Sequence, residues 1–252
     1  MSARQGARAV LVEEITSHEF ARRAKKKPLV IVPFGSVEEH GSHLPLCTDA
    51  FQAEEIALRV APLFDAMVCP TLKYGESRST KNFPGTISLS SETVRGLAHD
   101  IVSEMYRNGI DKVMILSGHA GAAHMAALKE GGLKAIERHK NLKVMVLSDY
   151  DIAYELRGKE FPESDGHGGL IETSRILGIR PELVGKDRPK GSAWVPEHLL
   201  VSDPEKYFPL GIRGDTTDSS AKKGKKLDDY IVKELAKLIE KNFKLKMVKK
   251  PR

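Results

Sequence analysis

Leu29-Val30-Ile31-Val32-Pro33-Phe34 runs without a break into Gly35-Ser36-Val37-Glu38-Glu39-His40-Gly41-Ser42-His43-Leu44-Pro45-Leu46-Cys47-Thr48-Asp49. The first six residues are continuously apolar and of strand length, the pattern of a strand buried on both faces. The run behind them sets carboxylates and imidazoles directly at that strand's carboxyl end. Glu38 and His40 lie two apart, so in an extended segment both project to one side and can reach one ion or an adjacent pair. Asp49 can close such a site from the start of the next helix. Carboxylate plus imidazole is a ligand mixture that suits zinc, manganese or iron.

Three further runs, Ala66 to Leu72, Lys112 to Ser117 and Leu142 to Ser148, repeat the short apolar pattern. Between them the spacing predicts helices over Ser17 to Lys26, Ala50 to Phe64, Ser91 to Arg107 closed by Gly109, Ala122 to His139, and Leu170 to Leu177 closed by Gly178. A last helix, about Lys226 to Phe243, carries Leu227, Ile231, Leu235 and Leu238 on one stripe. Alternating strands and helices predict an α/β three-layer sandwich with a mostly parallel sheet flanked by helices. Tyr150 to Gly169 reads as the longest irregular segment and as an active-site loop. In such sheets ligands bind beyond the carboxyl ends of the strands. Glu38 and His40 follow the first strand, His119 the strand Lys112 to Ser117, and Asp165 with His167 lies downstream of Leu142 to Ser148, so distant segments offer carboxylates and imidazoles to one rim.

At 252 residues, with 40% apolar and 29% charged residues, the chain has the balance of a soluble globular protein. No Pro-rich or Gly/Ser linker divides it, which predicts one domain over 1–252 with a basic tail from about 244. The apolar runs are too short to span a bilayer, and a start carrying Arg4 and Arg8 without an apolar stretch lacks the organisation of a secretory signal, so no membrane partner and a cytoplasmic location are expected. Cys47 and Cys69 are too few for a disulfide framework. The net charge of +6 gathers in Lys25-Lys26-Lys27, Lys222-Lys223-Gly224-Lys225-Lys226 and Lys249-Lys250-Pro251-Arg252. These clusters flank helices or end the chain, with no interleaved aromatics or reading motif, and argue against nucleic acid as a partner.

The remaining chemistry narrows by elimination. G-x-S-x-G, H-E-x-x-H, C-x-x-C, G-x-G-x-x-G and the Walker loop are all absent. Ser117-Gly118-His119-Ala120-Gly121 places a His between glycines at a strand-to-helix turn. Asp165-Gly166-His167-Gly168-Gly169-Leu170-Ile171-Glu172-Thr173-Ser174 joins a His in a glycine-rich turn to a Glu at a helix start. Together these amount to a carboxylate/imidazole metal centre with a spare His, equipment for activating water and passing a proton to a leaving nitrogen.

These segments resemble the creatininase (creatinine amidohydrolase) family of metal-dependent amide hydrolases. Gly35 to Pro45 with Thr48-Asp49 looks like the family's first signature and Ser117 to Gly121 its second. Phe83-Pro84-Gly85-Thr86-Ile87-Ser88-Leu89, His167-Gly168-Gly169 with Glu172-Thr173-Ser174, and Gly214-Asp215 with Ala221-Lys222-Lys223-Gly224 resemble three more segments. The resemblance implies two divalent ions, zinc or manganese with iron as a third option, bridged by Asp49. Glu38 and His119 would complete one ion and His40 the other, and a hydroxide bridging the ions would attack the substrate carbonyl while His167 shuttles the proton. It also implies a homo-oligomer, a hexamer built as a trimer of dimers, acting on a small-molecule substrate. In creatininase itself a Glu two residues after the His of the second signature ligates a metal. Here that position is Gly121, and Glu172 is the candidate that takes its place.

The pocket tryptophans of creatininase are also missing before His167, which counts against creatinine itself. The expected activity is therefore hydrolysis of a non-peptide C–N bond, a cyclic amide or formamide, in a small polar metabolite. Arg78, Lys81 and Tyr150 are candidate substrate contacts, the two cations suiting a phosphate or carboxylate. The alternative is a catalytically silent oligomeric scaffold with at most a structural metal.

Overall fold

A computed structural model describes residues 8–194, 196 and 198–248. Arg4 and the basic run Lys249 to Arg252 lie outside the described residues. The elements in chain order are β1 (Val10–Leu11), α1 (Ser17–Ala24), β2 (Leu29–Phe34), α2 (Thr48–Val60), β3 (Met67–Val68), α3 (Ser91–Arg107), β4 (Lys112–Ser117), α4 (Ala122–Arg138), β5 (Lys143–Ser148), α5 (Tyr150–Ala153), α6 (Leu170–Ile179), β6 (Lys190–Gly191), β7 (Gly214–Asp215) and α7 (Ala221–Phe243).

Five strands form one parallel sheet in the order β1-β3-β2-β4-β5, while β6 and β7 pair as a small antiparallel ribbon. The β2 and β4 strands run in register from Leu29 opposite Lys112 to Phe34 opposite Ser117. Side chains alternate across the sheet, so Leu29, Ile31, Met114 and Leu116 pack under Ile56 of α2 and Leu227, Ile231 and Leu235 of α7. Val30, Val32, Val113 and Ile115 face the opposite way, against Val94 and Ala98 of α3 and Leu128 of α4. The predicted three-layer α/β sandwich is the observed fold.

Local chemistry sets the element boundaries. Side chains of Thr16, Ser90 and Ser220 accept the N–H of Glu19, Thr93 and Lys223 and start α1, α3 and α7. The last of these begins α7 five residues ahead of the expected Lys226, which lets Gly224 rest against the α6 backbone, where a Cβ would meet the Ser174 carbonyl. Helix α6 runs on through Gly178 and stops at Arg180, the residue before Pro181. The expected strand Ala66 to Leu72 keeps ladder pairing only at Met67–Val68, because Pro70 has no N–H to give. Leu72 then bonds back to Pro33 and bridges Phe34. The stretch from Tyr150 is not all irregular, since α5 and a 3-10 turn at Tyr154–Leu156 occupy its first residues. Among the described residues no helix is long and apolar enough to cross a membrane.

Candidate metal centre

Strands β2, β4 and β5 end side by side, and the turns leaving β2 and β4 join the first turns of α2 and α6 in one buried polar cluster. Helix α2 starts at Thr48, which puts Asp49 in its first turn, where the helix dipole favours a carboxylate. The turn after β4 passes directly over that first turn. A Cβ on Gly118 would fall 2.0 Å from the Asp49 carbonyl oxygen, so only glycine lets the backbone carry His119 to Asp49. Helix α6 supplies Glu172 from its first turn. Glu38, His40, Asp49, His119 and Glu172 are all buried.

Backbone carbonyls orient both imidazoles. A carbonyl oxygen only accepts, so the ring nitrogen facing it carries the proton. His119 Nε2 donates to the Glu76 carbonyl at 2.9 Å, which turns Nδ1 to 2.9 Å from Glu38 Oε2 and 3.0 Å from Asp49 Oδ2. His40 Nδ1 donates to the Glu38 carbonyl at 3.0 Å, which turns Nε2 to 3.0 Å from Asp49 Oδ1 and 3.4 Å from Glu172 Oε2. Asp49 thus faces one triad, Glu38–Asp49–His119, with one oxygen and a second, His40–Asp49–Glu172, with the other. Within each triad one ligand atom per residue lies within 4.8 Å of the others. Thr80 Oγ1 donates to Glu38 Oε1, and the Gly168 N–H donates to Glu172 Oε2 at 2.7 Å.

Charge in the cluster is mutually enforced. Burial pushes the Glu38 carboxyl up, but the imidazoles of His119 and His167 outweigh it and hold it at about 2. Asp49 is likewise raised by burial and driven well below the carboxylate range by His40 and His119. Burial pushes His40 down, yet Asp49 and Glu172 lift it to about 10, and Glu38 with Asp49 lifts His119 well above its ordinary value. Glu38 Oε2 and Asp49 Oδ2 are buried and, among the described residues, accept no hydrogen bond of ordinary geometry. Such orphaned oxygens, grouped with one inward nitrogen per ring, fit a divalent cation in each triad. The Glu38 and Glu76 carbonyls on the outward ring nitrogens are the partners that ligating histidines ordinarily have.

His167 completes the cluster from the glycine-rich turn before α6. Its ring lies 4.2 Å from that of His40 and 5.6 Å from that of Phe208. Nε2 donates to the Glu39 carbonyl at 2.6 Å, leaving Nδ1 as the basic nitrogen. A cavity of about 260 Å³ opens here, lined among the described residues by His167, Glu172, Gly121, Tyr154 and Phe208 together with the first triad.

Six expected residues, Glu38, His40, Asp49, His119, His167 and Glu172, therefore meet. The three expected substrate contacts do not line the cavity. Tyr150 is 2% exposed, and its hydroxyl donates to Gln52 Oε1 at 2.7 Å beneath the site. Arg78 points outward and pairs with Glu76 at 3.0 Å, and Lys81 is exposed beside it. Asp165 is a brace, its carboxylate accepting the Leu170 and Ile171 N–H groups at 2.7 and 3.0 Å. Burial pushes that carboxyl up to about 6 against those two amides. Sequence reasoning missed Thr80, Glu76, Ser117 and His124, which hold the ligands in place. Thr80, Glu76 and His124 carry no pattern signal, because they act through contacts more than 40 residues apart, whereas Ser117 stands in the quoted turn and its local bonds to His119 went unread.

The sequence model of the family described as "Creatininase: Creatinine amidohydrolase" matches residues 13–239. Creatinine amidohydrolase of Pseudomonas putida is 30% identical, covering 94% of this chain and 98% of its own. The mycofactocin precursor peptide peptidase of Mycolicibacterium smegmatis is 28% identical over 79% of each chain. Among solved structures, a manganese creatininase superposes with a TM-score of 0.83 at 28% identity, covering 93% of this chain and 99% of its own. A point variant of creatininase described as Zn-Zn type gives 0.82 at 28% identity, with coverage of 94% and 99%.

Proposed function

This chain belongs to the creatininase (creatinine amidohydrolase) family, and on that premise we propose that it is a metal-dependent amidohydrolase cleaving a C–N bond other than a peptide bond in a small polar molecule. The carrying observation is the division of Asp49: one oxygen faces His119 and the other His40, and each imidazole is locked by a carbonyl with its free nitrogen inward. Glu38, Asp49 and His119 would hold one divalent ion and His40, Asp49 and Glu172 a second, zinc or manganese as in the related structures. When bound, such ions supply Lewis acidity, polarising an acyl oxygen and lowering the pKa of water. Glu172 then does the work of the family Glu that Gly121 replaces.

The chain's own residues supply the rest. Thr80 and the Gly168 amide spend one bond each on Glu38 and Glu172, fixing both carboxylates before anything binds. His167, with Nε2–H anchored on the Glu39 carbonyl, has Nδ1 to take up a proton and return it to a leaving nitrogen. Tyr154 and Phe208 give the cavity two aromatic walls. A cavity of about 260 Å³ lies at the small end of ligand sites and supports a compact substrate. No Lys or Arg lines it among the described residues, which favours a neutral cyclic amide or formamide over a phosphate ester. A single domain, a homo-oligomer of hexameric size and a cytoplasmic location complete the reading. Exposed Trp194, Leu199 and Leu200 are apolar surface that association would cover.

Elemental mass spectrometry of the purified wild type and Asp49→Ala tests the proposal. Two equivalents in the wild type and loss of both in the variant are expected, with hydrolysis in a cyclic-amide and formamide screen. A wild type that stays empty after zinc and manganese are supplied overturns it and leaves the silent scaffold.

A further inference from the structure

Beneath the first triad lies a buried polar ring that the reaction does not use. His124, from the first turn of α4, is 0% exposed. Its Nδ1 accepts the Glu76 N–H at 3.3 Å, so Nε2 carries the proton and donates to Ser117 Oγ at 3.2 Å. Ser117 Oγ accepts the His119 N–H at 3.1 Å and donates to the His119 carbonyl at 2.7 Å. Glu76 closes the circuit, its carbonyl accepting His119 Nε2–H at 2.9 Å. The His124 ring also stands edge-on to that of His119, centroids 4.9 Å apart at 68°, and 6.3 Å from Phe34.

The circuit holds His119 at three points. Ser117 grips its backbone from both sides, Glu76 takes its outer ring nitrogen, and the edge of His124 limits its tilt. Glu76 lies in the segment from Cys69 to Ser90, which has no regular helix or strand. Its own N–H is held by His124, and the Ser77 N–H, in the same peptide plane as the Glu76 carbonyl, is accepted by Ser88 Oγ at 2.8 Å, so the two anchors together set where that carbonyl lies. A hydrophobic residue of similar shape would fill the space yet leave the Glu76 N–H without its acceptor and take one of three bonds from Ser117 Oγ.

We propose that His124 is a positioning residue for metal binding: through Glu76 and Ser117 it fixes the orientation and tautomer of His119, so that Nδ1 presents a lone pair to an ion shared with Glu38 and Asp49. This rests on the binuclear reading of the site. Among the described residues the second triad is linked to the circuit only through Asp49, so the effect falls on one ion. Outer partners of ligating histidines typically govern metal affinity by 10- to 100-fold.

The test titrates zinc into metal-stripped wild type, His124→Phe, His124→Asn and Ser117→Ala against a chromophoric chelator, with melting temperature and circular dichroism recorded on the same samples. Asn keeps an acceptor for the Glu76 N–H, and Ser117→Ala breaks the other arm at small change in volume. Two zinc equivalents in the wild type are expected. One of them should be weakened about 10- to 100-fold in His124→Phe and in Ser117→Ala, with the other within about threefold and partial recovery in His124→Asn. Folded variants that keep both affinities at the wild-type value overturn the positioning role, whatever happens to their melting temperature. Equal weakening of both sites also overturns it, since that marks general loosening. Should His124→Phe not fold, Ser117→Ala and His124→Asn decide alone. A wild type that binds no zinc fails the binuclear reading itself, a result distinct from either of these.

Discussion

A Cβ on Gly121 would lie 2.5 Å from His119 Nε2, so the observed pose of His119 excludes every residue but glycine at position 121. The family's metal-ligating Glu at that place and this chain's ring orientation are therefore mutually exclusive. Gly121→Ala and Gly121→Glu should both swing His119 off the Glu76 carbonyl, lowering zinc affinity at the first triad at least tenfold and costing about 1–3 kcal/mol in stability. Restoring the family residue thus lowers activity, and chelator competition with chemical denaturation measures both effects.

With Nε2 anchored on the Glu39 carbonyl, His167 acts through its other nitrogen and outside the two triads proposed as metal sites. His167→Gln should leave metal content at the wild-type level while kcat falls about 10²- to 10⁴-fold, the ordinary contribution of a positioned acid–base group. Steady-state kinetics on a metal-replete sample, with elemental analysis beside it, checks this.

His43 is buried, and its Nε2 bonds Thr173 Oγ1 at 2.7 Å. Burial first, then the charges of Arg188 and His40, push it from 6.5 down to about 4. The unfolded chain binds this proton more readily than the folded one, so the contribution is intact above about 6.5 and is lost as pH falls toward about 4. Denaturation midpoints of the metal-stripped protein should fall over that window, and His43→Gln should show a shallower fall.

Arg175 is 0% exposed, with Nη2 at 2.6 Å from Asp149 Oδ2 and Nε at 2.7 Å from Asp228 Oδ1. It ties α6 to the end of β5 and to α7. Arg175→Met leaves two buried carboxylates without their cation and should cost about 3–5 kcal/mol, read as a lowered denaturant midpoint. Asp165→Ala, which frees two amides at the start of the same helix, should cost only about 1 kcal/mol.

Arg78 and Lys81 lie outside the cavity lining. Replacing both with Ala should leave KM for a neutral amide substrate within about twofold, measured under the conditions that give turnover in the wild type.

The sheet was legible because its chemistry is local. Leu29 to Phe34 and Val113 to Leu116 are uninterrupted apolar runs, and β2 and β4 occupy Leu29–Phe34 and Lys112–Ser117 as expected. Ala66 to Leu72 misled because Pro70 breaks a ladder that hydrophobicity alone would continue. Tyr150 misled for another reason: an aromatic in an expected loop reads as pocket lining, but the α5 turn buries it under the site with its hydroxyl spent on Gln52.

By itself the sequence determined the α/β class and the six residues that meet at the strand ends, because strand-length apolar runs and clustered ligand-type side chains are properties of neighbours along the chain. How those six divide was implied only by the family resemblance, and the distances and bonds that divide them belong to the tertiary structure. That Asp49 faces two triads, that Glu172 reaches His40 where Gly121 offers nothing, and that His124 holds His119 through Glu76 all depend on contacts between segments far apart in sequence. Such contacts are set by the packing of α2, α4 and α6 against one sheet edge, and hydrogen-bond direction appears only once that packing exists.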